Sequence, residues 1–277
     1  MNKYQPRSFK HRSPLKQFRL GAIAGAAPLL LGLSPIAAQE APMEEPEAPV
    51  VTGTLSLTGN THFISYGQDI WGAGTSWDAP IFNPSVELSY DLGGGFSAVL
   101  GTWWDLNNNA PSDIGNVIQE VDAWIGVNYG AGDWSFTLLY QEWMYASQSE
   151  RIVDFIVGYD HWLNPSLTLH ARVDHDIGPD FSNGLATVLG IAPGTEAGPV
   201  SFSFPVNIAF DTDEFHGGDA GFSFASAGVG ASVPLTFLRG SWTLDAGVTF
   251  YHTNDDVIPV NPDDNFLTGS LGVTLAF

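Results

Sequence analysis

The chain contains no cysteine, which excludes disulfide staples, thiolate metal centres and dithiol redox chemistry. Positive charge is almost as scarce, with nine Lys and Arg against 30 Asp and Glu in 277 residues. Six of the nine (Lys3, Arg7, Lys10, Arg12, Lys16 and Arg19) crowd the beginning of the chain, and only Arg151, Arg172 and Arg239 follow. Such a surface repels phosphate backbones, so nucleic acid is excluded as a partner. The balance points instead to cations, or to a high-salt setting that screens dense carboxylates. Long apolar runs are also missing, apart from the uncharged stretch Leu20 to Ala38, and no apolar stripe of helical period persists after Val51.

What the sequence does hold is organised in three parts. The basic start, the apolar stretch and the small residues Ala37 and Ala38 before Gln39 read as a signal peptide over 1–38. The segment 39–50, QEAPMEEPEAPV, is rich in Pro and Glu and reads as an acidic periplasmic lead-in without a fold of its own. From 51 to 277, alternation with period two recurs. Val200, Phe202, Phe204, Val206, Ile208 and Phe210, for example, are interleaved with Ser201, Ser203, Asn207 and Asp211. Twelve such segments are expected: 51–66, 81–90, 96–105, 117–129, 133–145, 150–161, 166–176, 185–191, 200–211, 220–233, 241–252 and 265–277. The tenth lacks clean alternation, which suggests a bulge.

The links between segments differ in length on the two sides. DLGGG, GAG and LNP are tight, whereas GQDIWGAGTSWDAP, LNNNAPSDIGN and TNDDVIPVNPDD are long and polar. Short turns at one end and long loops at the other are the pattern of bacterial outer-membrane barrels. Aromatic residues flank the short turns: Tyr90 and Phe96, Tyr129 and Trp134, Tyr159 and Trp162, Phe237 and Trp242. Rings of this kind suit a membrane interface. At the loop side Tyr66, Trp103, Trp104, Trp143, Tyr145 and Tyr251 are the candidates for a second girdle.

The final segment, NFLTGSLGVTLAF, alternates Leu271, Val273, Leu275 and Phe277 with Ser270, Gly272, Thr274 and Ala276. It resembles the C-terminal signature of the Gram-negative outer-membrane β-barrel, porin-like superfamily. The resemblance implies an outer-membrane location in contact with lipid, recognition of this strand by the barrel-assembly machinery, and closure against the first strand. The expected fold is therefore all-β, a closed antiparallel up-and-down transmembrane barrel of about twelve strands. Closure satisfies every backbone donor and acceptor where no water is available.

With the apolar face toward lipid, the polar face lines the lumen. It is expected to present Glu87, Glu120, Asp122, Trp124, Asp154, His170, Arg172, Asp174 and Asp245. Arg172 is expected beside Asp154 and Asp174 as an interior salt-bridge group, and Trp103, Trp124 and Trp143 as narrowing side chains. A lumen so acidic favours cations, and twelve strands leave a bore between that of a filled eight-stranded barrel and that of a wide porin. The reading is a narrow passive channel for small solutes with cation preference, requiring neither cofactor nor bound metal. Carboxylates at 255–256 and 263–264, near Asn254, Asn261 and Asn265, have the oxygen chemistry of a Ca²⁺ site but no EF-hand spacing. No GxSxG elbow or HExxH helix is present. His175 and Ser182 are the nearest approach to a base and a nucleophile, so a lipid-modifying hydrolase is the enzymatic alternative, and a structural or adhesive barrel is the third.

Overall fold

The computed structural model describes residues 51–71 and 78–277. The signal-peptide and lead-in assignments, 1–38 and 39–50, lie outside the described residues. The strands are β1 (Val51–Asn60), β2 (Ile81–Gly93), β3 (Phe96–Leu106), β4 (Ile118–Ala131), β5 (Trp134–Tyr145) and β6 (Gln148–Tyr159). They continue with β7 (Ser166–His175), β8 (Gly184–Ile191, prolonged by Gly194–Ala197), β9 (Val200–Ser203 and Val206–Asp211), β10 (Gly221–Pro234), β11 (Ser241–Thr253) and β12 (Asn265–Ala276). Each pairs antiparallel with its neighbour in sequence, and β12 returns to β1 in register from Thr54 opposite Ala276 to Asn60 opposite Ser270. The result is a closed barrel of 12 antiparallel strands.

Beyond β12, Phe277 completes the seam, with its N–H donating to Gly53 O at 3.0 Å and its carbonyl accepting from Gly53 N–H at 2.7 Å. The Phe277 ring lies over β1 where Gly53 has no side chain, since a Cβ there would stand 2.7 Å from its Cζ. Among the described residues the seam leaves no free edge between β12 and β1 to desolvate in lipid. The turns after β2, β4, β6, β8 and β10 lie at the end that holds both Val51 and Phe277. Three of them, after β2, β4 and β8, are two residues long and the other two six, and Gly93, Gly94, Gly95, Gly132, Gly198 and Gly240 take positive φ there. At the opposite end five connections are longer, and the β5–β6 connection is only Ala146 and Ser147.

The period-two pattern decides which face each residue takes. Leu88, Tyr90, Leu100, Ile125, Val127, Leu138, Val206, Phe210, Val248, Phe250 and Leu271 are exposed on the outside. The aromatic residues at the short-turn end form a connected belt, with Phe96 stacked on Tyr129 at 4.3 Å and Trp134 tilted against Tyr159 at 4.7 Å. No girdle of the same kind forms at the other end from the residues expected there. Of Tyr66, Trp103, Trp104, Trp143, Tyr145 and Tyr251, only Trp104 is an exposed outward residue. The strand parity of Trp103, Trp143, Tyr145 and Tyr251 turns them inward, and Tyr66 is carried inside by its loop. The irregularity expected in the tenth strand is present. The register between β9 and β10 shifts after Ala209, so that Phe210 faces Phe222 while Ala209 faces Phe224, and Ser223 is the extra residue.

Candidate functional site

The inward faces differ around the barrel. From β3 to β7 they carry bulky and charged side chains: Trp103, Asp105, Glu120, Asp122, Trp124, Gln141, Trp143, Glu150, Asp154, His170 and Arg172 are all buried. From β10 to β12 most are small, Ser226, Gly228, Gly230, Ser232, Gly247, Thr268, Gly272 and Thr274, with Asp245 the acid among them and Phe224, Tyr251 and Phe266 toward the loop end. At mid-height the lumen is filled, for Asn128, Gln141, Asp154, Thr168 and His170 are each no more than 2% exposed.

Of the residues expected to line the lumen, Glu120, Asp122, Trp124, Asp154, His170, Arg172 and Asp245 are buried on the inner side. Glu87 is there as well, accepting a hydrogen bond from Trp124 Nε1 at 3.1 Å. The Trp124 indole lies on the bare backbone of Gly101 in the neighbouring strand, which a Cβ at that position would block. Asp245 accepts hydrogen bonds from Ser232 Oγ at 2.6 Å, Thr274 Oγ1 at 2.9 Å and Thr243 Oγ1 at 3.0 Å.

Asp174 is a correction. Arg151 faces Asp174 while Ile152 faces Arg172, so an extra residue on β7 breaks the alternation between Arg172 and Asp174. Asp174 therefore points outward, its side chain 56% exposed and ion-paired with Arg151. Arg151 also approaches Glu142 at 3.6 Å, which places the outward charges of Glu142, Arg151 and Asp174 at the loop-side rim, above the apolar belt. The expected grouping of Arg172 with Asp154 does not form either. Arg172 Nε pairs with Glu150, and its Nη1 donates to Phe215 O at 2.6 Å and Ser182 O at 3.2 Å. Its guanidinium lies 4.3 Å from the Phe215 ring centroid. Asp154 is bound instead to His170 Nδ1 at 2.6 Å and accepts from Gln141 Nε2 at 2.5 Å.

The outer half of the lumen is occupied by the loop after β1. Ile64–Ser65 and Gln68–Asp69 pair as a small hairpin, with Tyr66 and Gly67 at positive φ in the turn, as a two-residue turn of the primed type requires. Its base packs through Phe63 on Trp103 at 5.1 Å, and its tip stacks Tyr66 on His170 at 3.8 Å. Gly67 is wedged against the far wall, where a Cβ would stand 2.5 Å from Phe224 Cδ1. The hairpin thus crosses the barrel from β3 to β7 and β10. The loop between β11 and β12 holds it in place. Asn261, between β11 and β12, accepts from Asp69 N–H at 2.8 Å and donates to Gly67 O at 2.9 Å. Phe215, between β9 and β10, meets the His170 ring edge-on at 5.9 Å. Farther along, Trp71 Nε1 donates to Asp105 Oδ2 at 2.8 Å.

Burial affects two groups of this loop. Desolvation raises the Tyr66 phenol well above 10.0, with the Asp154 charge adding to the rise, and desolvation lowers His62 below 6.5. A charged phenolate or imidazolium is therefore disfavoured while the loop is packed.

Sequence reasoning missed Asp105, Glu150, Asp211 and His216, although Asp105 shares parity with Trp103, and Asp211 with Asn207. His216 Nδ1 and Asp211 lie 2.8 Å apart, both buried. Among the described residues no group of three His, Cys, Asp or Glu side chains is arranged to hold a metal. Ser182, the candidate nucleophile, donates its hydroxyl to Asp213 O at 2.8 Å.

A closed sheet with an apolar outside and a charged, hydrogen-bonded inside is stable only with hydrocarbon around it. The chain is a transmembrane β-barrel. The barrel is similar in structure to a NanC porin (9% identity over 80% of this chain and 98% of that one, TM-score 0.48). It is also similar to the KdgM porin (10%, 81% and 99%, TM-score 0.45) and to outer membrane phospholipase A from Escherichia coli (16%, 81% and 92%, TM-score 0.41). No protein-family model and no curated protein sequence matches the barrel. These likenesses are of architecture alone, and the membrane assignment rests on the barrel's own closure and apolar belt.

Proposed function

We propose that the barrel is a narrow passive channel for small solutes, with a preference for cations, and that the inserted hairpin is its closed state. The observation that carries this reading is the placement of charge. Glu87, Asp105, Glu120, Asp122, Glu150, Asp154, Asp211 and Asp245 share the inner face with Arg172, which is ion-paired to Glu150. A low-dielectric tube lined with acids concentrates cations and excludes anions, as acidic rings do in cation pores. The filled mid-section supports a small bore. Leu271, Val273, Leu275 and Phe277, on the closing strand's apolar alternation, serve in this reading as the stretch offered to the assembly machinery.

Planar-bilayer recordings of the folded chain test the function. Small currents are expected, with a reversal potential favouring cations under a salt gradient, and larger currents when the hairpin is loosened by Asn261→Ala. Anion preference, or silence in both proteins, would sink the reading.

A further inference from the structure

Between the hairpin and the β4–β7 wall a cavity of about 350 Å³ opens toward the loop end of the barrel, within the size range of ordinary small-ligand pockets. Its aromatic walls are Trp71, Trp143 and Tyr145, and its polar groups include Asp113, Gln119 and Glu120. We propose that this cavity is a binding site for a small organic cation, a guanidine or an alkylamine. The proposal rests on the channel reading only for its biological role.

Three features select a cationic ligand. The first is what the donors already do. Arg172, the one arginine on the cavity, is directed at Glu150 and at two loop carbonyls and lies on Phe215, so it is a poor anchor for an anion. The cavity histidines are also engaged, His170 with Asp154 and His216 with Asp211.

The second is the supply of acceptors. The amide nitrogen of Gln119 is fixed by Asn107 O at 3.1 Å and Ala110 O at 2.8 Å, and this orientation leaves the amide oxygen as its end for a ligand. Glu120 is 2% exposed on the cavity wall, and Asp113 is exposed at its mouth. A ligand that meets this amide oxygen in the field of the buried Glu120 and the exposed Asp113 needs N–H donors and positive charge.

The third is the aromatic surface. Tyr145 gives its hydroxyl to Glu150 at 2.8 Å, and Trp143 gives its Nε1–H to Gln141 at 3.1 Å. Trp143 is 3% exposed and stacks on His170 at 5.2 Å, so the ring surface left to the cavity is chiefly that of Tyr145 and Trp71, on which a weakly hydrated guanidinium or ammonium gains cation–π attraction.

Equilibrium titration of the full-length barrel in detergent micelles, followed by calorimetry, tests the site with agmatine as probe and with maltose and succinate as neutral and anionic controls. Agmatine is expected to bind saturably and the controls to show no binding. Glu120→Gln should weaken agmatine about tenfold, and Trp71→Leu several-fold, through loss of charge pairing and of ring surface. Heat-modifiable migration on gels reports that each variant is folded. If Glu120→Gln fails that check, Trp71→Leu, a loop substitution, decides the matter. Equal binding of maltose or succinate, or agmatine affinity unchanged in a folded variant, overturns the site. Conductance is read separately, so a barrel that conducts cations without binding agmatine overturns only the site. One that binds agmatine but stays silent in bilayers overturns only the channel.

Discussion

Asn261 ties down the hairpin with both ends of one amide, so its truncation to alanine has a calculable effect. The hydrogen bonds to Asp69 N–H at 2.8 Å and Gly67 O at 2.9 Å are lost together, at residues that are both buried. Each stranded backbone group costs about 1–3 kcal/mol, and water entering the vacated space recovers part of it. The inserted hairpin should lose roughly 2 kcal/mol against a released one, a shift of about thirtyfold in their ratio. The absence of cysteine supplies the assay. Ser65, next to the hairpin tip and 6% exposed, can be replaced by a single reporter cysteine, and its labelling by a bulky maleimide added outside reads the fraction of time the tip is released. Asn261→Ala should accelerate labelling about thirtyfold while the heat-modifiable band is unchanged. A rate within about twofold of the parent would refute the assignment of Asn261 as the latch.

Two further outcomes follow from the same structure. The hairpin should be most firmly packed between about pH 6.5 and pH 10.0. His62, lowered by burial, contributes packing that is complete above its ordinary value and is lost as pH falls below it. Tyr66, raised by burial, contributes packing that is complete below its ordinary value and is lost as pH climbs. Conductance that rises outside this window is expected, and a flat pH profile would count against the packed loop as the closed state. Arg172→Gln leaves Glu150 in a site where the two side chains are only 5% and 7% exposed. It should lower stability by about 3–5 kcal/mol, read as the urea midpoint in lipid, and adding Glu150→Gln should restore a part. A double variant no more stable than the single one would show that the loop carbonyls of Ser182 and Phe215, rather than the buried acid, set the loss.

How much of this was legible from residues depends on the element. β9 could be read nearly atom for atom, because Val206, Ile208 and Phe210 against Asn207, Ala209 and Asp211 leave only one way to face lipid. Asp174 was misread because alternation was extended through a bulge, and a bulge is set by how two strands share a ladder, not by either strand's composition. Glu150 was passed over for a related reason, since it opens its strand and its partner, Arg172, comes from the next. The hairpin was out of reach. Ile64, Ser65 and Tyr66 continue the alternation of β1 well enough to look like its last residues, and the inward turn depends on Phe224, His170 and Asn261, which arrive from distant parts of the chain. Of the rings expected in the outer girdle, only Tyr66 is taken up by the plug, whereas strand parity turns Trp103, Trp143, Tyr145 and Tyr251 inward.

The uneven distribution of bulk around the lumen has a consequence for how this barrel can change. Most carboxylates lie on the arc from β3 to β7, while the arc from β10 to β12 is paved mainly with serine, threonine and glycine, with Asp245, Phe224, Tyr251 and Phe266 as its exceptions. Charge and small side chains are therefore concentrated on different staves. A methyl group at Gly230 or Gly247 would first meet a serine hydroxyl, Ser203 Oγ or Ser270 Oγ, and so add bulk away from the main row of acids, and an amide in place of an acid at Glu120 or Asp122 alters the field without touching the calibre. Selection, or a protein engineer, can adjust bulk and charge at separate positions.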